Sequence, residues 1–481
     1  MTFRKNLAFQ RTSEHLPTAA RDPPSNDAIV PFDSSSTTRG IPAKLIKPWS
    51  MGPQNKYIFT NANVVDTKKG IIVPHATVTI SDGFIDSIES SSKSLAVEAT
   101  SNATVVDLEG KYLCPGLFDC HVHIMATAGD TGAVSSGLSK DAKISLFRQP
   151  YLCGQILSRG FTTVRDTGGA SLALKEAIED DVFPGPRLFI SNKALSQTGG
   201  HGDSRKAHEN NCCPSGDADF AEIADGVPAA LLATRTQIRV GADFIKIMVG
   251  GGVASPTDKL ESTQFTAEEI QAISTAAASA GTYVTAHAYT PKAIRHAIDN
   301  GVKGIEHGNM IDEDTAKVMA ERGIWLTPTL VTYDAMGSDK YAGFLPPANA
   351  KKNRAVLSAG VESLRIAAAA GVKICHGSDL LGPLHAEQNR EFSIRAKALS
   401  GKQILQSATV IPAEMLGQKD VLGQVKEGFV ADLLVLRKNP LEDVSSLDDP
   451  ENNILSVVKN GRVYSSRWKG LPTDVQQVAR L

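Results

Sequence analysis

The chain has 481 residues, 42% of them hydrophobic and 21% charged, with a formal net charge of -2. That length suits a large domain with an appendage, and the near-neutral balance gives no global attraction to nucleic acid or to an anionic membrane, so neither partner is expected. No apolar run approaches the roughly 18 residues of a membrane-spanning helix.

Residues 1–53 are rich in Ser, Pro, Thr and Arg and lack the apolar core of a secretory signal. They are expected to form a flexible extension on a cytoplasmic protein. Organelle targeting fits less well, because Glu14, Asp22 and Asp27 are acidic. From Tyr57 to Cys114 short alternating runs separated by turns predict strands, at Tyr57–Asp66, Ala76–Ile80, Thr104–Asp107 and Lys111–Leu113. Residues 54–114 are thus read as half of a small β-sandwich. The other half is expected within 414–481, where Phe429–Leu436 reads as a strand and Asn460-Gly461 as the turn of a hairpin.

Between them, residues 115–413 alternate β-rich runs with helical patterns such as Ala267–Ala280, Pro291–Asp299 and Leu364–Ala370. Eight candidate strands are Leu117–His123, Thr162–Asp166, Arg187–Ala194, Asp243–Val249, Tyr283–His287, Gly304–His307, Trp325–Leu330 and Lys373–Asp379. That rhythm predicts an α/β protein built on a (β/α)8 TIM barrel, with a doubly wound sheet as the alternative. Six cysteines are expected to be reduced thiols. The adjacent pair Cys212-Cys213 leaves a vicinal disulfide or a metal pair open, although nothing around it has zinc-site spacing.

In such a barrel the chemistry sits at the C-terminal ends of the strands. His121 and His123 project to one face of a strand and can converge on one ion. His287 and His307 repeat that placement on consecutive strands, and imidazole suits zinc. Lys246 lies in the apolar run Phe244-Ile245-Lys246-Ile247-Met248, where a cation is costly to bury. A carbamate formed with CO2 would instead give two anionic oxygens able to bridge two ions. Asp379 could ligate an ion and carry a proton, or it could simply cap a helix. Arg165-Asp166 reads as an ion pair at the rim. Gly250-Gly251-Gly252 lacks the residues of a phosphate loop and reads as a place where backbone approaches substrate.

The run Pro115-Gly116-Leu117-Phe118-Asp119-Cys120-His121-Val122-His123, followed in order by Lys246, His287, His307 and Asp379, resembles the amidohydrolase superfamily. Ala194–Asp203, with its Gly200-His201-Gly202-Asp203, Phe244–Met248 and Gly250–Val253 most resemble the group of prolidase-like metal-dependent carboxypeptidases and ochratoxinase, and Gly428–Leu436 resembles the family's strand closing the β domain. The resemblance implies two divalent metal ions, usually zinc. His121, His123 and Asp379 would hold the more buried ion, His287 and His307 the more exposed one, and carbamylated Lys246 would bridge them. It further implies attack of a metal-bridging hydroxide on an amide carbonyl, with Asp379 as general acid and base. His201 and Tyr289 would contact substrate, and the protein would form a homo-oligomer.

A small amide or dipeptide, cleaved next to a carboxylate, is accordingly the expected substrate. Lactone hydrolysis or deamination on the same site is one rival, and a non-catalytic small-molecule-binding barrel is another. Gly377-Ser378-Asp379 stands where a Gly-Thr-Asp run is common in the group. His376 and His385 beside it are expected at structural or surface positions.

Overall fold

The computed structural model describes residues 37–38, 41–90, 103–129, 142–205, 207–208, 220–255 and 257–475. Cys212-Cys213 therefore lies outside the described residues. The chain divides into two units, Met1–Ser50 and Met51–Leu481. In the first, strands β1 (Thr37–Thr38) and β2 (Ile41–Pro42) pair antiparallel, and helix α1 (Ala43–Ile46) follows.

The second unit opens with strands β3 (Lys56–Asp66), β4 (Ile71–Ser81), β5 (Phe84–Ser90), β6 (Ala103–Asp107) and β7 (Tyr112–Pro115). Asp82 and Gly83 both take left-handed φ, 50° and 83°, as a two-residue hairpin between β4 and β5 requires. The central region then alternates strand and helix. It runs β8 (Leu117–Val122), α2 (Ala142–Ser158), β9 (Phe161–Asp166), α3 (Leu172–Glu179) and β10 (Arg187–Ile190). Next come β11 (Ala194–Ser196), β12 (Ala221–Ile223), α4 (Val227–Arg239), β13 (Ile245–Met248), α5 (Ala267–Ser279) and β14 (Val284–Ala288). It continues through α6 (Pro291–Asp299), β15 (Gly304–His307), α7 (Glu313–Glu321), β16 (Trp325–Thr327), α8 (Leu330–Gly337), α9 (Pro347–Ala369) and β17 (Lys373–Ile374). Helices α10 (Glu391–Arg395), α11 (Gly401–Ser407) and α12 (Val410–Met415) lead to β18 (Leu433–Leu436), α13 (Pro450–Asn453), β19 (Ile454–Lys459) and β20 (Arg462–Ser466).

The central strands form two parallel sheets, ordered β10-β9-β8 and β12-β11-β13-β14-β15-β16-β17. Every residue of β8, β9, β13, β14 and β15 is buried, as expected of parallel strands covered on both faces. Backbone hydrogen bonds also cross between the sheets. Asp243 N donates to Ile190 O at 2.7 Å, and Cys120 N donates to His376 O at 2.8 Å. A large apolar core joins these strands to the helices around them, through Ile245, Ile247, Val284, Ala286, Ile305 and Leu326.

The two ends of the second unit share a sheet ordered β20-β19-β18-β7-β3-β4-β5, with β6 added on β3. The expected hairpin at Asn460-Gly461 is present: both have positive φ, and Lys459 pairs with Arg462 across the turn. Bulges in β3 around Ala62 let one strand pair with β6 along its first half and β7 along its second. Phe59, Val78, Leu113, Phe429, Leu433 and Val458 close a separate core on this sheet.

Several strand boundaries differ from expectation. Arg187–Ala194 is not one strand, since β10 stops at Ile190 and β11 belongs to the other sheet. The strand expected at Trp325–Leu330 ends at Thr327, and Leu330 already starts α8. That expected at Lys373–Asp379 is regular only for two residues, because Asp379 turns back to donate its N–H to His121 O.

Candidate metal centre

The parallel register brings the predicted groups to one end of the sheets. His121 lies within β8 and His123 follows its last residue, while Lys246, His287 and His307 are carried by β13, β14 and β15. Met248 pairs with His287, and Ala288 with His307. The His121 and His123 rings meet edge to face with centroids 5.3 Å apart, His121 and His307 at 4.8 Å, and His287 and His307 at 4.6 Å. Asp379 Oδ1 lies 3.4 Å from His121 Nε2 and 3.2 Å from His123 Nε2, and Oδ2 lies 3.9 Å from His307 Nδ1. Donor atoms of His121, His307 and Asp379 all fall within 4.8 Å of one another, so this trio could hold a metal ion. His307 and Asp379 both have left-handed φ, 74° and 53°. For non-glycine residues that backbone is strained, as is common where a side chain must be aimed.

Each of the four imidazoles has one nitrogen engaged by the protein. His121 Nδ1 pairs with Glu306 Oε2 at 2.8 Å, and His123 Nδ1 with Gly168 O at 2.8 Å. His287 Nε2 meets Gly251 O at 3.1 Å. His307 Nδ1 meets Thr329 Oγ1 at 2.8 Å and Tyr333 Oη at 3.0 Å. The partners of His121, His123 and His287 can only accept, so the opposite ring nitrogen of each keeps its lone pair, which is the arrangement of a ligating histidine. Burial, and then the other positive groups nearby, hold His287 and His307 well below the usual imidazole range. Both are therefore neutral, as a ligand must be.

Lys246 is 2% exposed. Among the described residues no carboxylate oxygen lies within 4 Å of its ammonium. Burial is the main reason its pKa falls to about 8, partly offset by Glu306 and Asp379.

Glu306 is the functional residue that sequence reasoning passed over, although it adjoins His307. It is fully buried and receives a hydrogen bond from Arg165 Nη2 at 2.5 Å, with Thr285 Oγ1 on the same oxygen. Burial disfavours its charge, but Arg165 and His121 hold it well below the usual carboxylate range. This corrects the expected rim pair. Arg165 is 0% exposed and pairs with Glu306, whereas Asp166 accepts backbone N–H groups from Ile124, Gly168 and Ala170. A charged residue inside an otherwise apolar strand was the available signal.

His201 stacks on His287 at 4.1 Å, and the Tyr289 ring lies 4.8 Å from His287. The Tyr289 hydroxyl meets that of Tyr333 at 2.8 Å. Both predicted substrate-facing residues thus border the histidine cluster. His376 and His385 are buried, not at the surface. His385 Nε2 meets Ala126 O at 2.9 Å, while His376 is packed between Phe161 and Phe392. Cys114, Cys120, Cys153 and Cys375 are free thiols, and all four are buried.

A histidine-rich centre at the ends of parallel strands defines a class, and residues 112–464 match the amidohydrolase family. The chain belongs to that family. It is 32% identical to the ochratoxinase of Aspergillus niger over 371 residues, which cover 73% of this chain and 75% of that one. Among solved structures it resembles a prolidase complexed with N-methylphosphonate-L-proline (41% identity, TM-score 0.81), covering 86% of this chain and 100% of that one. A Xaa-Pro dipeptidase with methionine bound in its active site is similar at 27% identity and TM-score 0.76, with the same coverage. Family and relatives together support a hydrolase. Among the described residues no helix is long and apolar enough to cross a membrane.

Proposed function

We propose that this protein is a binuclear metal-dependent hydrolase of amide or peptide bonds adjacent to a carboxylate. The observation that carries the reading is the set of four histidines, each with one nitrogen tied to the protein, gathered beside Asp379, with Lys246 on the strand next to that of His287. The donor set fits divalent metal: imidazoles, a carboxylate and a buried amine with no carboxylate oxygen within 4 Å among the described residues. Lys246 would bridge two ions once its neutral amine adds to CO2 and loses a proton, leaving a carbamate. His121, His123 and Asp379 would hold one ion, and His287 with His307 the other. Ions such as zinc supply Lewis-acid polarisation of a carbonyl and an activated water when bound.

The chain's own residues do the rest. Glu306 fixes the His121 ring, and Thr329 with Tyr333 fixes His307. Asp379 carries a proton on a carboxylate oxygen and hands it to the leaving amine. His201 and Tyr289 face the scissile group or the substrate carboxylate. The hydrogen bonds joining β10 to the start of β13, and β8 to the chain after β17, support closure of eight parallel strands into a (β/α)8 barrel. We assign residues 115–413 to that barrel, and 54–114 with 414–481 to a β-sandwich and a C-terminal tail. A cytoplasmic homo-oligomer acting on a small amide or dipeptide completes the proposal.

The relatives' names, a prolidase, a Xaa-Pro dipeptidase and an ochratoxinase, support cleavage of an amide bond over lactone hydrolysis or deamination. A side-by-side screen of dipeptides, N-acyl amino acids, lactones and deaminase substrates with zinc- and bicarbonate-loaded protein tests this. Turnover confined to amides next to a free carboxylate is expected. Turnover of lactones or amines alone would contradict it.

A further inference from the structure

His201 lies in the loop after β11 and has a second set of neighbours, on the stretch between β13 and α5. Its Nδ1 meets Ser255 Oγ at 2.9 Å. Ser255 Oγ in turn makes a short hydrogen bond to Asp258 Oδ1 and lies 3.3 Å from Gly252 O. Asp258 is itself fixed. Its Oδ2 accepts from Gly252 N and from Gln264 Nε2, each at 3.0 Å, and Lys352 Nζ lies 3.4 Å from Oδ1. Lys352, on α9, also donates to the carbonyls of Gly252, Ser255 and Asp258 at 3.0, 3.3 and 2.7 Å. The Asp258 side chain is 3% exposed.

A serine hydroxyl has one proton. Both of the other groups that Ser255 Oγ meets, a carboxylate and a carbonyl, can only accept. The hydroxyl proton is therefore committed to one of them, and toward His201 the oxygen acts as acceptor. Nδ1 of His201 must then carry a hydrogen. Among the described residues Nε2 has no hydrogen-bond partner. The other face of the ring is fixed as well: it stacks on His287 at 24°, and a Cβ on Gly252 would come within 1.9 Å of Cε1.

We infer that Ser255 and Asp258 are positioning residues for His201, holding it as the Nδ1–H tautomer so that Nε2 presents its lone pair to substrate. Nε2 then accepts a hydrogen bond from an N–H or O–H of substrate, and the hydrogen-bond relay from Nδ1–H through Ser255 to the Asp258 carboxylate keeps the ring in that state. This rests on the proposed hydrolytic reading for its consequence, but the tautomer itself does not depend on activity.

The test is 15N NMR of [15N]histidine-labelled full-length protein at a pH where His201 is neutral, with the His201 signals assigned by their loss in His201→Gln. The expected spectrum shows a protonated Nδ1 and a bare Nε2 for His201, and Ser255→Ala converts it to a tautomer mixture. A bare Nδ1 in the wild type, or an unchanged tautomer in Ser255→Ala, would overturn the inference even if the protein cleaves amides well. Should no amide be cleaved, the expected spectrum would still uphold the relay. On a substrate that is turned over, Ser255→Ala should lower kcat/KM about 100-fold, the scale on which a misplaced substrate-facing group acts. Ser255→Thr, which keeps the hydroxyl, should restore most of it. An equal loss in the Thr and Ala variants would contradict the relay. Asp258→Asn is the less specific variant, because it also frees Gly252 and Lys352.

Discussion

At the scale of single residues, Glu306 ties the centre together. It shares its carboxylate between Arg165 and His121, so it both neutralises a buried guanidinium and sets the direction of a candidate ligand. Glu306→Gln should weaken metal binding by roughly 10- to 100-fold, the usual loss when a partner behind a ligand is removed. It should also destabilise the fold by about 3–5 kcal/mol, because Arg165 keeps its buried charge without a full counterion. Chelator competition reads the first effect and urea unfolding the second; an unchanged metal affinity would show that Glu306 serves only Arg165. The histidines were legible in the sequence because an i, i+2 pair on a strand and single histidines ending later strands form a pattern. Glu306, Ser255 and Asp258 were not, because their role depends on contacts 185 residues distant in one case and 54 in the other.

At the scale of elements, the stretch from β13 to α5 acts as a wall for the site. Gly252 faces the His201 ring so closely that a methyl group has no room, which gives the glycine run a specific physical reason. Gly252→Ala should push the ring off His287 and cost about 100-fold in kcat/KM, as misplacements of about 1 Å can, with little loss of thermal stability. Full activity would contradict that contact. Helix α5 was plain in the sequence, since Thr266 and Glu269 form a reciprocal capping box. Helix α9 was visible only as Leu364–Ala370 although it spans 23 residues. Its buried face includes Asn349, Asn353, Gly360 and Ser363, and polar or small residues there break the apolar periodicity on which recognition depends. Strand β5 was missed for a similar reason, as Phe84–Ser90 carries Asp, Ser and Glu between its few apolar residues.

At the scale of the whole molecule, the terminal sheet meets the parallel strands through buried charge. Lys459, on β19, donates to Gly185 O at 2.8 Å and is 4% exposed. Burial, then the nearby Arg187, lowers its pKa to about 8. A lysine that binds its proton less tightly when folded costs stability below pH 8, and that cost fades as pH rises from 8 toward the unfolded value near 10.5. Lys459→Met should therefore gain most, relative to the wild type, at pH 7, and the gain should shrink by pH 10 in paired urea titrations. A pH-independent difference would show that the charge is not what Lys459 costs. The order of strands and helices was readable from the sequence because short β-rich runs alternate there with helical patterns. The pairing of β18 with β7 was anticipated only as two halves of one domain, since residues more than 300 apart leave no local pattern.

The central claim is that the cluster at the ends of the parallel strands holds two metal ions. The most direct measurement is the metal-to-protein ratio of the purified full-length chain by inductively coupled plasma mass spectrometry, for the wild type and for Asp379→Asn. Close to two divalent ions per wild-type chain are expected, with a clear loss in the variant. A wild-type protein that binds no transition metal, even after incubation with zinc and bicarbonate, would contradict it.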